Sequence, residues 1–563
     1  MSPLLLLIAA LTAAEAGLNV NSPSPPSRVT DLIKQADTSF LIKRLDRGIE
    51  QYGRLVELNP TVGLYWYRLG ICYLESGEFG KAIPALEKAE ELGSFQWNPP
   101  RMVYHGEAAL ALAAAHAQLG QKDEALRWTR TSLAQGLRNI RRFHGKQFES
   151  LLKDDDYRKL VWATDVSGLS RDEGFRHDLR FLMHEAKRVH YAPYKVVSEA
   201  RLDEMASALD RDIPTLSDEQ VLVRMMGIVR HLGDGHTHIR AVGQVQRVPL
   251  VFFEFPEGIY VIAALEPHGD LVGAKVLKIG DRSIDECMKL AREITSRDNP
   301  MNVLSTAPWL LSSLRVLKGL GILKDESVVP LEIEDASGQS RRVEVPTEAV
   351  APNPKDNKWI NTVAGQDAPM PLHLRHRDKT YWFERLPEER LVYCQMNGIG
   401  TNNQKTMMDF CRDLFAEVAK DDIDGLVLDM RHNGGGDTFT NPPLIEGIIR
   451  SEKLQTQGRL FVITGRETFS AAQNTVSELE RRTKAILVGE PTGSRPNFIG
   501  ESIQIVLPKS GWITSISDLW WQHSMAMDYR IWTPPQLYAP PTAASFREHR
   551  DPALEAILAY RKK

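Results

Sequence analysis

The chain has 563 residues and a mass of 63.4 kDa, well beyond the roughly 250–300 residues at which a single hydrophobic core stops growing, so at least two domains are expected. Hydrophobic residues at 42% and charged residues at 25% are ordinary for a globular protein in water. The net charge of -4 gives no basis for nucleic acid or an acidic membrane surface as a partner.

Residues 1–16 form a Leu/Ala-rich apolar segment ending Ala14-Glu15-Ala16, the pattern of a signal peptide with an A-x-A cleavage site. It implies export to a periplasmic or extracellular space, with membrane association where the signal stays uncleaved. No Lys or Arg precedes the run, and it is shorter than the ~20 residues a spanning helix needs. Cys72, Cys287, Cys394 and Cys411 are scattered without a C-x-x-C pair, so their spacing predicts buried thiols, not a disulfide framework or a zinc site.

After a Pro/Ser-rich spacer, residues 28–138 are predicted helical with a weak internal repeat. Trp66, Leu69, Gly70, Tyr73, Gly77, Ala82, Leu86 and Ala89 fit a hairpin of two helices, small residues at the crossing and large ones in the next layer. The pattern resembles the tetratricopeptide repeat. A second copy is recognisable at Leu112, Ala113, Gly120 and Ala125, and a fainter third lies within residues 29–60. Such a stack serves as a scaffold or as a groove for a protein partner; the residues leave both open.

Residues 139–240 are polar and helical, with Ser217-Asp218-Glu219-Gln220 reading as a capping box for a helix over 221–232. The helix runs into Gly233-Asp234-Gly235-His236-Thr237-His238, a glycine-flanked turn displaying two imidazoles. His236 is a candidate general base, because histidine titrates near neutral pH. A His-x-His metal pair is the alternative, but no H-E-x-x-H, Cys pair or carboxylate cluster supplies further ligands, and no metal is expected. His238 is expected to pack or hydrogen-bond locally. Residues 241–350 alternate as a small β domain whose Gly273 to Gly280 element resembles a strand and turn of PDZ-like domains. A Pro/Asn/Asp-rich linker follows at 351–371.

From 372 to 563, strands alternate with helices: strands over 391–395, 425–428, 460–463 and 485–488, helices over 403–418, 443–450 and 470–482. That βαβ order predicts an α/β core with a mostly parallel sheet, in which chemistry collects beyond the carboxyl ends of the strands. Two loops lie there. Gly434-Gly435-Gly436 follows the strand over 425–428, and Ser470 opens the helix after the strand over 460–463. Glycines let backbone N–H groups converge on one point, as an oxyanion hole requires. Ser470 at a strand-to-helix corner reads as a nucleophile or, without chemistry, as a helix N-cap.

Asp429-Met430-Arg431-His432-Asn433-Gly434-Gly435-Gly436, Ser470-Ala471-Ala472, Gly489-Glu490-Pro491-Thr492-Gly493 and the upstream Leu232-Gly233-Asp234-Gly235-His236-Thr237 together resemble the catalytic region of the tail-specific, C-terminal processing serine peptidases. The resemblance extends to the tricorn-like and interphotoreceptor-retinoid-binding-protein-like groups. It implies a crotonase-like core, peptidase chemistry on peptides or unfolded protein segments, frequent export, frequent oligomerisation and no cofactor. Where the lysine-dyad branch carries its base, this chain has Gly493-Ser494-Arg495-Pro496, and arginine is never appreciably neutral. The tricorn-like branch implies His236 as base and a late carboxylate, aligned with Asp528 in Asp528-Tyr529-Arg530-Ile531, as its orienter; Asp528 as a surface carboxylate is the alternative. Under this reading Ser470 is the nucleophile and the oxyanion is held by N–H groups of Ala471 and of Gly435 or Gly436. The retinoid-binding relatives leave a second expectation, a non-catalytic peptide or lipid carrier on the same fold.

Overall fold

A computed structural model describes residues 29–96, 102–241, 246–324, 327–350, 359–363, 368–401 and 405–562. The signal-like residues 1–16 and most of the linker expected over 351–371 lie outside them. The chain divides into two compact units, Met1–Gly168 and Leu169–Lys563.

The first unit is a stack of antiparallel helix pairs: α1 (Val29–Leu41) with α2 (Leu45–Leu58), α3 (Gly63–Glu75) with α4 (Phe79–Leu92), and α5 (Glu107–Gln118) with α6 (Lys122–Ala134). Each helix of the repeat expected at 63–92 is present, and Leu69, Ala82, Leu86 and Ala89 are buried. Residues 139–168 belong to this unit and not with the region that follows, as the sequence reading had it. The reason is apolar: Phe143, Phe148 and Tyr157 are fully buried and pack on one another, which extends the stack's own core.

In the second unit, α7 (Arg171–Val189), α8 (Glu199–Asp212) and α9 (Asp218–Val229) come first. The capping box at Ser217 forms, with Gln220 N–H donating to Ser217 Oγ at 3.2 Å and Ser217 N–H to Gln220 Oε1 at 2.9 Å. A short strand β1 (His238–Arg240) follows. The small β domain is an antiparallel sheet of β2 (Leu250–Phe255), β3 (Gly258–Ala264), β4 (Lys275–Ile279), β5 (Val328–Glu334) and β6 (Ser340–Pro346) in that order. Helices absent from the sequence reading, among them α10 (Ile284–Arg292) and α11 (Pro300–Leu310), are inserted between β4 and β5.

The C-terminal core is a mixed sheet with the order β7 (Tyr381–Leu386), β8 (Leu391–Met396), β9 (Gly425–Asp429), β10 (Leu460–Thr464), β11 (Ile486–Gly489), β14 (Leu537–Tyr538), antiparallel only between β7 and β8. The inner strands β8 to β11 are buried on both faces, which is why they read as largely apolar runs. Leu426, Leu428, Leu460 and Val462 pack against α12 (Met407–Val418), α13 (Pro442–Arg450) and α14 (Ala471–Arg482), while Val427, Phe461, Ile463 and Val488 pack against Ala553 and Ile557 of α15 (Pro552–Arg561). At about 1.5–3 kcal/mol for each large apolar side chain removed from water, this double-sided burial fixes the strand ends from which the motif loops spring. The hairpin β12 (Asn497–Val506) and β13 (Ile513–Gln522) was not foreseen. It positions the site, because β1 pairs with β13, His238 opposite Ser515, and so the histidine turn is tied to the core. No described helix is long and apolar enough to cross a membrane, and the four cysteines are buried and free.

Candidate active site

Ser470 sits between β10 and α14 with φ 55° and ψ -125°, a positive-φ conformation that costs a non-glycine residue about 1–3 kcal/mol and persists only where its surroundings over-determine it. They do so here. Phe469 N–H donates to the Asn433 carbonyl at 3.0 Å, Gly493 N–H to the Thr468 carbonyl at 3.0 Å, and the Thr468 hydroxyl to the Met430 carbonyl at 2.9 Å. Ser470 N–H itself donates to Ser494 Oγ at 3.1 Å. The Ser470 side chain makes no capping hydrogen bond to α14, so the simple N-cap alternative does not describe it. The hydroxyl is held at the positive end of a 12-residue helix.

The glycine loop abuts this corner. A Cβ on Gly435 would lie 2.7 Å from Ser470 Cβ and 2.9 Å from Ala471 N, at φ 105°. One on Gly436 would lie 1.9 Å from the Ile399 carbonyl oxygen, at φ 139°. Only glycine fits either position. The two differ as donors. Gly435 N–H is taken by Asn433 Oδ1 at 3.0 Å, which removes it from the expected oxyanion set; its contribution is the absence of a side chain. Gly436 N–H and Ala471 N–H are not engaged by another described residue. The charged residues of the motif do structural work: Arg431 forks onto Asp551 at 2.8 and 2.9 Å and reaches Asp429 Oδ1 at 3.1 Å. His432 turns to Glu467, Nδ1 to Oε2 at 3.0 Å, and to His373 at 3.1 Å.

His236 comes to the same place from 234 residues earlier in the chain (470 minus 236). Its ring lies between Phe469, centroids 4.5 Å apart, and Phe498, centroids 5.5 Å apart and planes at 4°. The turn that presents it is built on Asp234. Oδ1 accepts the N–H groups of His236 at 2.8 Å and Thr237 at 2.7 Å and the Ser517 hydroxyl at 2.7 Å, and Oδ2 accepts from His190 Nε2 at 2.8 Å. Because His190 Nδ1 accepts the Ala192 N–H at 3.1 Å, His190 is the neutral tautomer protonated at Nε2. Burial works against ionisation of Asp234, but the His190 and Ser517 hydrogen bonds hold its carboxyl below the usual range. His238 packs locally, its Nδ1 on the His236 carbonyl at 2.9 Å.

His236 keeps some surface, yet both ring nitrogens are shut off from solvent and meet no hydrogen-bond partner among the described residues. Burial lowers its pKa to about 4, with the Asp234 charge opposing. The ring is therefore neutral at pH 7, as a base must be, and no hydrogen bond joins it to Ser470. Asp528 does not orient it. Asp528 Oδ2 accepts the Ser524 hydroxyl at 2.6 Å, and both oxygens bind Arg530, at 2.9 and 2.7 Å. Arg530 in turn forks onto Glu480 at 2.8 and 2.7 Å. Arg530 first, then Ser524, hold Asp528 at a pKa of about 2. The expected orienter is thus a structural ion pair, its lone pairs already used. Sequence reasoning missed Asp234, His190, Ser517 and Ser494, although the Asp-Gly-His turn contained the signal for the first: Asp followed two and three residues on by N–H groups it can cap.

Among the described residues no group of three or more His, Cys, Asp or Glu side chains converges to hold a metal ion. A cavity of about 1220 Å³ opens beyond the carboxyl ends of β10 and β11, lined among others by Phe253, Phe255, Arg466, Glu467 and Glu490.

Comparisons with known proteins bear on both units. A family model for the tetratricopeptide repeat matches residues 64–92. No curated protein matches the chain. Among solved structures the chain is similar to mature CPAF complexed with lactacystin, with 13% identity and a TM-score of 0.51, covering 69% of this chain and 98% of that one. It is likewise similar to mature CPAF, with 14% identity and a TM-score of 0.50, covering 69% and 97%. At such identities the likeness is one of fold: a helical-repeat region followed by the mixed-sheet domains these structures share.

Proposed function

We propose that the chain is a serine-type peptidase that cleaves peptides or unfolded protein segments through an acyl-enzyme, on a PDZ-like domain and crotonase-like core of the tail-specific type. The observation that carries this reading is the backbone of Ser470. A strained, non-capping serine at a strand-to-helix corner, pinned by two neighbouring loops, has a structural cost and no helix-capping gain, which is the signature of a presented nucleophile. Ser470 Oγ attacks the scissile carbonyl while His236 accepts the hydroxyl proton. The tetrahedral oxyanion is met by the Gly436 and Ala471 N–H groups. On collapse the C–N bond breaks, His236 returns the proton to the leaving amine, and water repeats the sequence on the acyl-serine. Phe469 and Phe498 replace an orienting carboxylate by clamping the ring, and a gap between base and nucleophile in the free protein is usual before substrate closes it. The proposal includes export, on the strength of residues 1–16, and a protein-binding role for the helical stack. Hydrolysis of unfolded casein by the full-length protein tests the activity: turnover lost in Ser470→Ala supports it, and equal turnover in both overturns it.

The cavity of about 1220 Å³ is the observation that favours a carrier instead. A carrier predicts ligand binding that Ser470→Ala leaves intact and no hydrolysis by either protein.

A further inference from the structure

Base and nucleophile arrive on different sheets. The His236 turn leads into β1 of the three-stranded sheet β1-β13-β12, whereas Ser470 follows β10 of the core sheet. The ring contact between His236 and Phe469 brings the two together, but a stack on the ring does not fix the backbone turn that carries it. A directional tie is needed to hold a serine and an unpartnered imidazole within reach of one proton.

The two residues before α11 supply one. Asn299 caps that helix, accepting the Asn302 N–H at 3.0 Å, and gives Nδ2 to the carbonyls of Thr492 at 3.0 Å and Ile531 at 2.8 Å. Asp298 is 4% exposed. Its Oδ1 accepts the Gly235 N–H at 2.7 Å, one residue before the base, and its backbone carbonyl accepts Arg495 Nε at 2.9 Å. Its Oδ2 is buried and meets no hydrogen-bond partner among the described residues. Ser494 Oγ is the atom that receives the Ser470 N–H. The path from base to nucleophile therefore runs from Gly235 N–H to the Asp298 carboxylate, from the Asp298 backbone carbonyl to Arg495 Nε, and from the adjoining Ser494 Oγ to Ser470 N–H.

We infer that Asp298 is the positioning residue of this site: its buried carboxylate holds the turn carrying His236, and its backbone carbonyl holds the loop whose Ser494 accepts from the strained Ser470 corner. It touches no substrate and acts through its two neighbours. The inference rests on the serine-peptidase reading and adds to it the group that replaces the missing carboxylate: this chain orients its loops where a triad would orient the ring. The charges facing Asp298 are Asp234 from the histidine turn, Arg495 from the loop after β11 and Lys195 from the segment between α7 and α8. Burial first, then Asp234, raises its pKa to about 7, against the Ser494 and Arg495 contributions. The ionised carboxylate accepts the Gly235 N–H more strongly than the neutral acid does, so the tie tightens as pH rises through neutrality.

The test measures second-order labelling of full-length protein by a fluorophosphonate between pH 5 and 9, with the adduct located by mass spectrometry. Asp298→Ala is expected to slow labelling of Ser470 about 10- to 100-fold, the scale of a misplaced catalytic group. Asp298→Asn, whose amide oxygen still accepts from Gly235, is expected within about fivefold of wild type at pH 8 but without the wild type's rise near neutrality. Adding Ser494→Ala to Asp298→Ala is expected to cost little more, since both lie on one path. Thermal unfolding gives a readout free of the probe. A carboxyl raised from 3.8 to about 7 binds more protons folded than unfolded, so its burden on stability is absent below pH 3.8 and grows as pH rises through about 7. The Tm of Asp298→Asn relative to wild type must therefore increase from pH 5 to pH 8. Labelling of Asp298→Ala within about threefold of wild type at every pH, or a neutral limb persisting in Asp298→Asn, would overturn the inference alone. If Asp298→Ala does not fold, the Asp298→Asn profile decides. Absence of labelling in wild type would remove the peptidase reading and the inference with it.

Discussion

The imidazole of His236 stacks on the ring of Phe469, centroids 4.5 Å apart and planes at 28°, and Phe469 is the residue before Ser470. Through that contact a turn in the first half of the chain meets a corner near its end, and the proposed base is held by aromatic packing instead of a carboxylate.

Gly435 lies against Ser470, the proposed nucleophile, and a methyl group there would meet Ser470 Cβ at 2.7 Å and Ala471 N at 2.9 Å in a backbone geometry unsuited to it. Gly435→Ala is expected to fold with a lowered Tm and to lose about 100-fold or more in turnover, since a displacement of about 1 Å is enough for that. Peptide hydrolysis alongside circular dichroism checks both halves.

Asp528 is committed to Arg530 and Ser524. Asp528→Asn is expected to keep turnover within about threefold of wild type while losing on the order of 1 kcal/mol of stability, because Arg530 retains Glu480. Its folded pKa is depressed to about 2 from 3.8, so its stabilisation is fully present above pH 3.8 and is lost as pH falls through about 2. Denaturant titrations at pH 7 and pH 3 measure this; a large fall in turnover would instead reinstate Asp528 as the orienter.

His236 is depressed to about 4 from 6.5 by burial. The folded protein binds fewer protons than the unfolded one in that window, so stability present above pH 6.5 is lost as pH falls through about 4. His236→Gln is expected to flatten the Tm profile between pH 7 and 4 relative to wild type.

Much of this architecture was legible in the chain. Leu426 to Leu428 and Leu460 to Ile463 read as buried strands because helices cover both their faces, and the observed strand ends differ from the expected ones by one residue. That the glycine loop adjoins the Ser470 corner was legible because both follow strand ends of one sheet and only glycine fits at Gly435 and Gly436. The hairpin β12–β13 was not, since its alternation is broken at Glu501, which has φ 49°. Asp528 was misassigned by alignment because sequence does not show that Arg530 and Ser524 take its lone pairs. Asp298 was invisible for a reason of distance: Asp298-Asn299-Pro300 reads locally as a helix start, and its partners lie 63 residues before and 197 residues after it.

The central claim is that Ser470 is a nucleophile activated by His236. The direct measurement is fluorophosphonate labelling of the folded full-length protein at pH 7, with the modified residue identified by mass spectrometry. The account predicts a single adduct on Ser470, slowed about 10²- to 10⁴-fold in His236→Ala. An adduct formed at the same rate in His236→Ala, or folded wild-type protein that takes up no probe at Ser470, would contradict it.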